Sequence, residues 1–145
     1  MVFGSYVTQS HEQTLQLGQS LGAHLQPNSI VAFFGDLGAG KTTFIRGLAL
    51  GAAATEPRDI CSPTFTYLNI YKGPKTLYHF DLYRLPSERE FFAAGFDEYF
   101  TMGGICCIEW AEKIEGALPK GTLFVRLAYL SEGQRQIEII NPAPK

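Results

Sequence analysis

A chain of 145 residues with 46% apolar and 18% charged residues has the composition of a single ordinary globular domain, large enough to bury roughly two-thirds of the surface its unfolded form exposes. A formal net charge of −2 supplies no broad basic field for nucleic acid, so direct RNA binding is not expected. No apolar run approaches the eighteen or so residues of a membrane span and no secretory leader is expected; the composition suits a cytoplasmic protein whose cysteines, Cys61, Cys106 and Cys107, stay reduced and mostly buried.

Residues 1–9 read as a short strand or arm. Ser10-His11-Glu12-Gln13 has the form of a capping box, with Ser10 as the cap and Gln13 three residues on. Leu15, Leu17, Leu21 and Leu25 continue it as a helix that ends near Pro27. His11 and His24 have no visible partners and read as surface or helix-end residues rather than ligands.

Ile30-Val31-Ala32-Phe33-Phe34 is apolar without alternation, the pattern of a parallel strand covered on both faces. It runs directly into Gly35-Asp36-Leu37-Gly38-Ala39-Gly40-Lys41-Thr42, a Gly, four free residues, then Gly-Lys-Thr. Glycines there let the backbone turn through positive φ and approach an anion, so that the loop N–H groups converge on a phosphate. Lys41 brings a point charge to the β- and γ-phosphates of a nucleotide, and the Thr42 hydroxyl is placed to ligate Mg²⁺. From Thr43 onward, apolar residues at Phe44, Ile45, Leu48 and Ala49 have helical spacing, and such a helix aims its positive end at the phosphates. Strand, loop and helix together make the match a phosphate-binding loop.

Residues 52–59 read as the helix end and a loop that delivers Ser62-Pro63-Thr64-Phe65. Pro63 holds Ser62 extended, so this segment cannot continue a helix. Residues 66–71 and 76–81 flank Lys72-Gly73-Pro74-Lys75 as a β-hairpin, with Asp81 at the end of the second strand. A helix starts near Pro86-Ser87 and is stopped by Gly95, and residues 97–100 form a short further turn. Ile105-Cys106-Cys107-Ile108 is a second fully apolar strand, which ends on Glu109-Trp110; open α/β sheets bind ligands at that carboxyl end. A helix begins at Ala111-Glu112-Lys113-Ile114, and residues 123–130 and 134–140 close the chain as a second hairpin around Ser131-Glu132-Gly133. The fold expected is α/β and P-loop NTPase-like: a mainly parallel sheet, helices on both faces and added antiparallel hairpins, in one domain over 1–145.

The site then comprises Lys41 and Thr42 from the loop, with Asp81 and Glu109 from two later strand ends. Mg²⁺ bound to a nucleotide takes few protein ligands, so a hydroxyl and one carboxylate suffice, and the other carboxylate is available to orient the attacking water or to hold a metal-bound water. Glu109 ends the more continuously apolar strand and is assigned the metal. Asp81 precedes Leu82–Ser87, which reads as mobile, and is assigned the water; neither acid is expected in the core. No Asn-Lys-x-Asp guanine-reading stretch follows, and Arg84, Arg126 and Arg135 are scattered singly rather than grouped in a lid.

Gly-Asp-Leu-Gly-Ala-Gly-Lys-Thr-Thr at 35–43, Ser-Pro-Thr-Phe at 62–65, Tyr-His-Phe-Asp-Leu-Tyr-Arg-Leu at 78–85 and Ile-Glu-Trp-Ala-Glu at 108–112, in this order and spacing, resemble the TsaE (YjeE) family of small P-loop ATPases over about residues 10–140. The resemblance implies ATP binding and hydrolysis to ADP in the biosynthesis of threonylcarbamoyl-adenosine at position 37 of tRNA. It implies partnership with TsaD and TsaB, contact with tRNA only through that complex, and no transfer of the threonylcarbamoyl group by this chain. It assigns nucleotide binding to Gly35, Asp36, Leu37, Gly38, Ala39, Gly40, Lys41, Thr42 and Thr43. Magnesium goes to Thr42 and Glu109, and hydrolysis to Asp81 with Lys41. Ser62 and Thr64 fall in a switch-like loop, Trp110 lies beside the site, and the stretch carrying Gln9 and Ser10 contacts base or ribose. Cys106-Cys107 stands where relatives often have one cysteine and an aliphatic residue. Two other readings of the loop are a small-molecule kinase and a nucleotide-dependent binding subunit without catalysis.

Overall fold

Every residue of Ile30–Phe34 (β2) is buried, and the rest of the molecule is layered about it. In this computed structural model residues 3–36, 38–52 and 66–141 are described. The expectations for Leu37, Cys61, Ser62 and Thr64 fall outside them. β2 pairs in parallel with Ile105–Glu109 (β5) on one side and Leu123–Ser131 (β6) on the other. Beyond β5 lie Leu77–Asp81 (β4), also parallel, and Leu68–Tyr71 (β3), antiparallel. Beyond β6 come Gln134–Ile140 (β7) and Gly4–Thr8 (β1), both antiparallel. The seven-stranded order is β1-β7-β6-β2-β5-β4-β3, with parallel pairing confined to the four central strands.

The two hairpins are therefore built into the sheet rather than appended to it. β4 and β6 each carry one antiparallel and one parallel neighbour. The first hairpin is shorter than its sequence suggests, because Tyr67 adopts φ 66° and the strand begins at Leu68.

Period-two alternation in β2 feeds two cores. Val31 and Phe33 point into a layer with His11–Gly22 (α1) and Lys41–Gly51 (α2), while Ile30, Ala32 and Phe34 face the opposite layer. That second layer holds Glu88–Ala93 (α3), two 3₁₀ segments at Phe96–Thr101 and Ala111–Ala117, and an aromatic cluster around Phe80, Phe91 and Phe96. Gly95 at φ 76° ends α3 where the sequence placed the stop. The helix expected from Ala111 is a 3₁₀ segment with non-helical geometry at Ile114.

Ser10 caps α1 as its sequence predicts, with the Gln13 N–H donating to its Oγ at 3.1 Å. The Gln13 side chain reaches back one residue further than in a standard capping box, accepting the Gln9 N–H at 2.7 Å. α1 and α2 touch backbone to backbone. A Cβ at Gly47 would lie 1.9 Å from the Leu15 carbonyl oxygen, and one at Gly18 2.2 Å from that of Phe44. This contact fixes where α2, and hence its N-terminus, sits over the sheet.

Candidate nucleotide site

Because β2, β4 and β5 are parallel, their carboxyl ends lie along one edge of the sheet, and an open cleft of about 510 Å³ is found there. The loop after β2 forms one wall. Its Ala39 N–H donates to the Asp36 carbonyl at 3.1 Å, Gly40 at φ 100° precedes the first residue of α2, and the Phe44 N–H returns to the Gly40 carbonyl at 2.9 Å. Gly35 has φ 150°, and a Cβ there would lie 2.5 Å from the Leu127 carbonyl oxygen of β6, so only glycine lets the loop leave β2 this close to its neighbour. Gly38, Gly40, Thr42 and Thr43 line the cleft; Ala39 is buried, and Asp36 is exposed and outside the lining.

Lys41 is the first residue of α2 and is 5% exposed. Its Nζ donates to the Gly35 carbonyl at 2.5 Å and lies 3.5 Å from the centroid of the Trp110 ring. Burial lowers the pKa of this ammonium, against the opposing pull of the Glu109, Glu112, Asp81 and Asp36 carboxylates. Trp110 reaches this position because its backbone is left-handed, φ 58° and ψ 43°, turning the chain sharply where β5 ends. The Tyr83 ring packs against that of Trp110, tilted, with ring centroids 4.9 Å apart.

Asp81 and Glu109 are register partners at the ends of β4 and β5, one strand spacing of roughly 4.8 Å apart at the backbone. Both are buried, at 6% and 3% exposure, which corrects the expectation that neither belongs to the core. Asp81 is also fixed rather than loosely held: its strand is buried at every position and its Oδ1 accepts the Tyr83 N–H at 3.0 Å. Burial raises its pKa, with the Glu109 carboxylate adding to the rise and the Tyr83 N–H, His79 and Lys41 opposing it. Glu109 is held differently, by His79, whose Nε2 lies 2.5 Å from Oε2.

The hydroxyl of Thr42 and the carboxylates of Asp81 and Glu109 are hard oxygen donors facing one cleft, the chemistry that Mg²⁺ prefers. Among the described residues there is no group of three or more His, Cys, Asp or Glu side chains that makes a protein cage. Mg²⁺ on a nucleotide does not require one, since phosphates and waters complete its shell. The donor set fits that ion.

The structure thus brings together Lys41, Thr42, Thr43, Asp81, Glu109 and Trp110. Gln9 and Ser10 are not in the lining; Ser10 caps α1, and the Gln9 Oε1 accepts from Gln134 Nε2 at 2.5 Å. Their neighbour His11 does line the cleft, exposed as expected but facing the site. Arg135 is the larger omission. It is 8% exposed and borders the cleft beside Gly40, its Nη1 donating to the Ser131 and Gln134 carbonyls at 3.0 and 2.8 Å. It sits on β7, some ninety residues from the loop, and no local pattern joins the two. Cys106 and Cys107 play no part: both are buried, and burial pushes the Cys106 thiol up to about 12 and Cys107 well above its usual value.

A family profile described as threonylcarbamoyl adenosine biosynthesis protein TsaE matches residues 8–137. The chain belongs to the TsaE family. A TsaE relative from Treponema pallidum, named as a tRNA threonylcarbamoyladenosine biosynthesis protein, is 43% identical over 133 residues, covering 92% of this chain and 97% of its own. The TsaE protein of Bacillus subtilis is 40% identical over 131 residues, covering 90% and 80%. The crystal structure of YdiB from Bacillus subtilis superposes with a TM-score of 0.78 at 34% identity, over 94% of this chain and 83% of that one. The TsaE fold seen here is thus the mixed α/β arrangement anticipated from the sequence. No helix among its described residues is long and apolar enough to cross a membrane.

Proposed function

We propose that this TsaE protein binds ATP with Mg²⁺ and hydrolyses it to ADP and phosphate in the cytoplasm, and that this cycle serves a TsaD–TsaB complex that modifies tRNA at position 37. The observation that carries the reading is the meeting of Lys41, from the loop after β2, with two carboxylates from the ends of β4 and β5 in one cleft.

In this reading the loop N–H groups and the α2 N-terminus hold the phosphates, and Lys41 leaves the Gly35 carbonyl to meet them. Thr42 and Glu109 would hold Mg²⁺, which would supply neutralising charge to the phosphate oxygens. Asp81 orients a water toward the γ-phosphorus and accepts one of its protons; the water oxygen bonds to phosphorus as the bond to the β-phosphate oxygen breaks, and ADP and phosphate depart. Burial supports that role by favouring proton uptake at Asp81. The TsaE names of the relatives support the pathway, and TsaD and TsaB enter from the resemblance alone.

Two measurements test this. ATP binding by calorimetry should fall about ten- to hundred-fold in Lys41→Ala, the loss of one charge-assisted contact of roughly 1.5–3 kcal/mol. Phosphate release should occur without any added acceptor and rise with TsaD and TsaB present. Unchanged affinity in a folded Lys41→Ala protein, or phosphate appearing only on an added small-molecule acceptor, overturns the proposal.

A further inference from the structure

His79 is fully buried in the middle of β4, among Leu77, Tyr78 and Phe80 and two residues before Asp81. Strand alternation puts it on the same face as Leu77 and Asp81, the face that packs toward α2. On β5 the matching face carries Ile105, Cys107 and Glu109. His79 is opposite Cys107 in the register, two pairs below Asp81 and Glu109 and next to them on the same face, so its ring reaches Glu109 diagonally across the two strands.

An imidazole in such a place costs stability unless its polar atoms are engaged. Nε2 is engaged, 2.5 Å from Glu109 Oε2; Nδ1, also buried, has no hydrogen-bond partner among the described residues. A carboxylate accepts only, so Nε2 carries the proton and donates. Cys107 alongside is a buried thiol and offers no competing charge. A leucine would fill this position without leaving Nδ1 unsatisfied, so packing alone does not account for a histidine. What distinguishes the imidazole here is the single bond that it gives to Glu109.

We propose that His79 is a positioning residue for Glu109. It fixes one carboxylate oxygen from beneath, so that the carboxylate of Glu109 is presented to the cleft in a set orientation, while Asp81 beside it is held separately by the Tyr83 N–H. Two acids on adjacent strands are thereby kept in distinct orientations by distinct donors. This rests on the reading in which Glu109 serves Mg²⁺; partners that orient a metal-holding carboxylate typically change metal affinity about ten- to hundred-fold when removed.

The test compares three variants of the full chain by calorimetric titration with ATP, with and without Mg²⁺. His79→Gln carries an amide nitrogen at about the reach of Nε2, His79→Asn places its amide short of Glu109, and His79→Leu removes the donor. The expected result is that Leu and Asn lose about ten- to hundred-fold of the Mg²⁺-dependent gain in ATP affinity, that Gln retains most of it, and that affinity without Mg²⁺ is the same in all. Should His79→Leu fail to fold, the Gln and Asn pair decides. Equal Mg²⁺-dependent affinity in Gln, Asn and wild type, or an equal loss in both, overturns the positioning role. A wild-type protein whose ATP affinity does not respond to Mg²⁺ instead overturns the underlying reading of the site, so the two failures are told apart.

Discussion

The Lys41 ammonium rests 3.5 Å from the centre of the Trp110 ring while it donates to the carbonyl of Gly35, the residue that opens its own loop. The cation proposed to meet the phosphates is thus already engaged, by an aromatic face and a backbone oxygen. In the proposed function a nucleotide phosphate draws it away from both. Because Trp110 is the only tryptophan of the chain, that exchange is directly observable. Saturating MgATP is expected to change the intensity or wavelength of its fluorescence, and ADP to give a smaller or different change. A titration to saturation with a flat signal would place Lys41 over the indole in both states.

The division of labour between the two acids gives a second outcome. Glu109→Ala is expected to weaken chiefly the Mg²⁺-dependent part of ATP affinity. Asp81→Ala should leave binding nearly intact and lower single-turnover hydrolysis by about a hundredfold or more, the mark of an interaction made mainly in the transition state. The two roles are exchanged if Asp81→Ala loses Mg²⁺-dependent binding and Glu109→Ala keeps it. Each acid is buried, so circular dichroism has to accompany the affinity measurements.

Asp81 also makes a prediction about stability. Burial raises its pKa above the usual 3.8, so the folded protein holds this proton more tightly than the unfolded chain does. The stability linked to it is fully present below pH 3.8 and is lost as pH rises through the folded value. Asp81→Asn is neutral at every pH and keeps an oxygen for the Tyr83 N–H. Without nucleotide it should therefore melt at a higher temperature than wild type at pH 7, and the difference should shrink as the pH is lowered toward 3.8. A lower melting temperature at pH 7 contradicts the raised value.

The α1–α2 contact offers a test away from the cleft. Gly47→Ala improves intrinsic helix propensity by about 1 kcal/mol. It also drives a methyl group to within 1.9 Å of the Leu15 carbonyl oxygen, which forces the helices apart. Overpacking against backbone costs typically about 1–3 kcal/mol, so the steric cost wins. The variant is expected to unfold at lower denaturant, and ATP affinity should fall with it as the α2 N-terminus shifts. A stabilised Gly47→Ala protein would mean that the two helices do not meet at this position.

What the sequence determined by itself was the part of the site that is local in the chain. The glycines, Lys41 and Thr42 sit within eight residues, framed by an apolar strand and a helix whose periodicities are short-range, and the same holds for the Ser10 cap and the Gly95 stop. The apolar run ending on Glu109 and the hairpin ending on Asp81 were legible for the same reason. Tertiary structure alone decided which strands lie side by side. Hydrogen bonding of β4 to β5 makes Asp81 and Glu109 neighbours and sets His79 beneath Glu109, although thirty residues separate His79 from its partner. Pairing of β6 with β2 and of β7 with β6 carries Arg135 to the loop beside Gly40, and the capped start of α1 brings His11 to the same cleft. Period-two alternation placed His79 and Asp81 on one face, but whether that face met solvent, core or a carboxylate depended on strand register. Register is a property of the whole sheet, set by burial on both faces at once, and no window of sequence contains it.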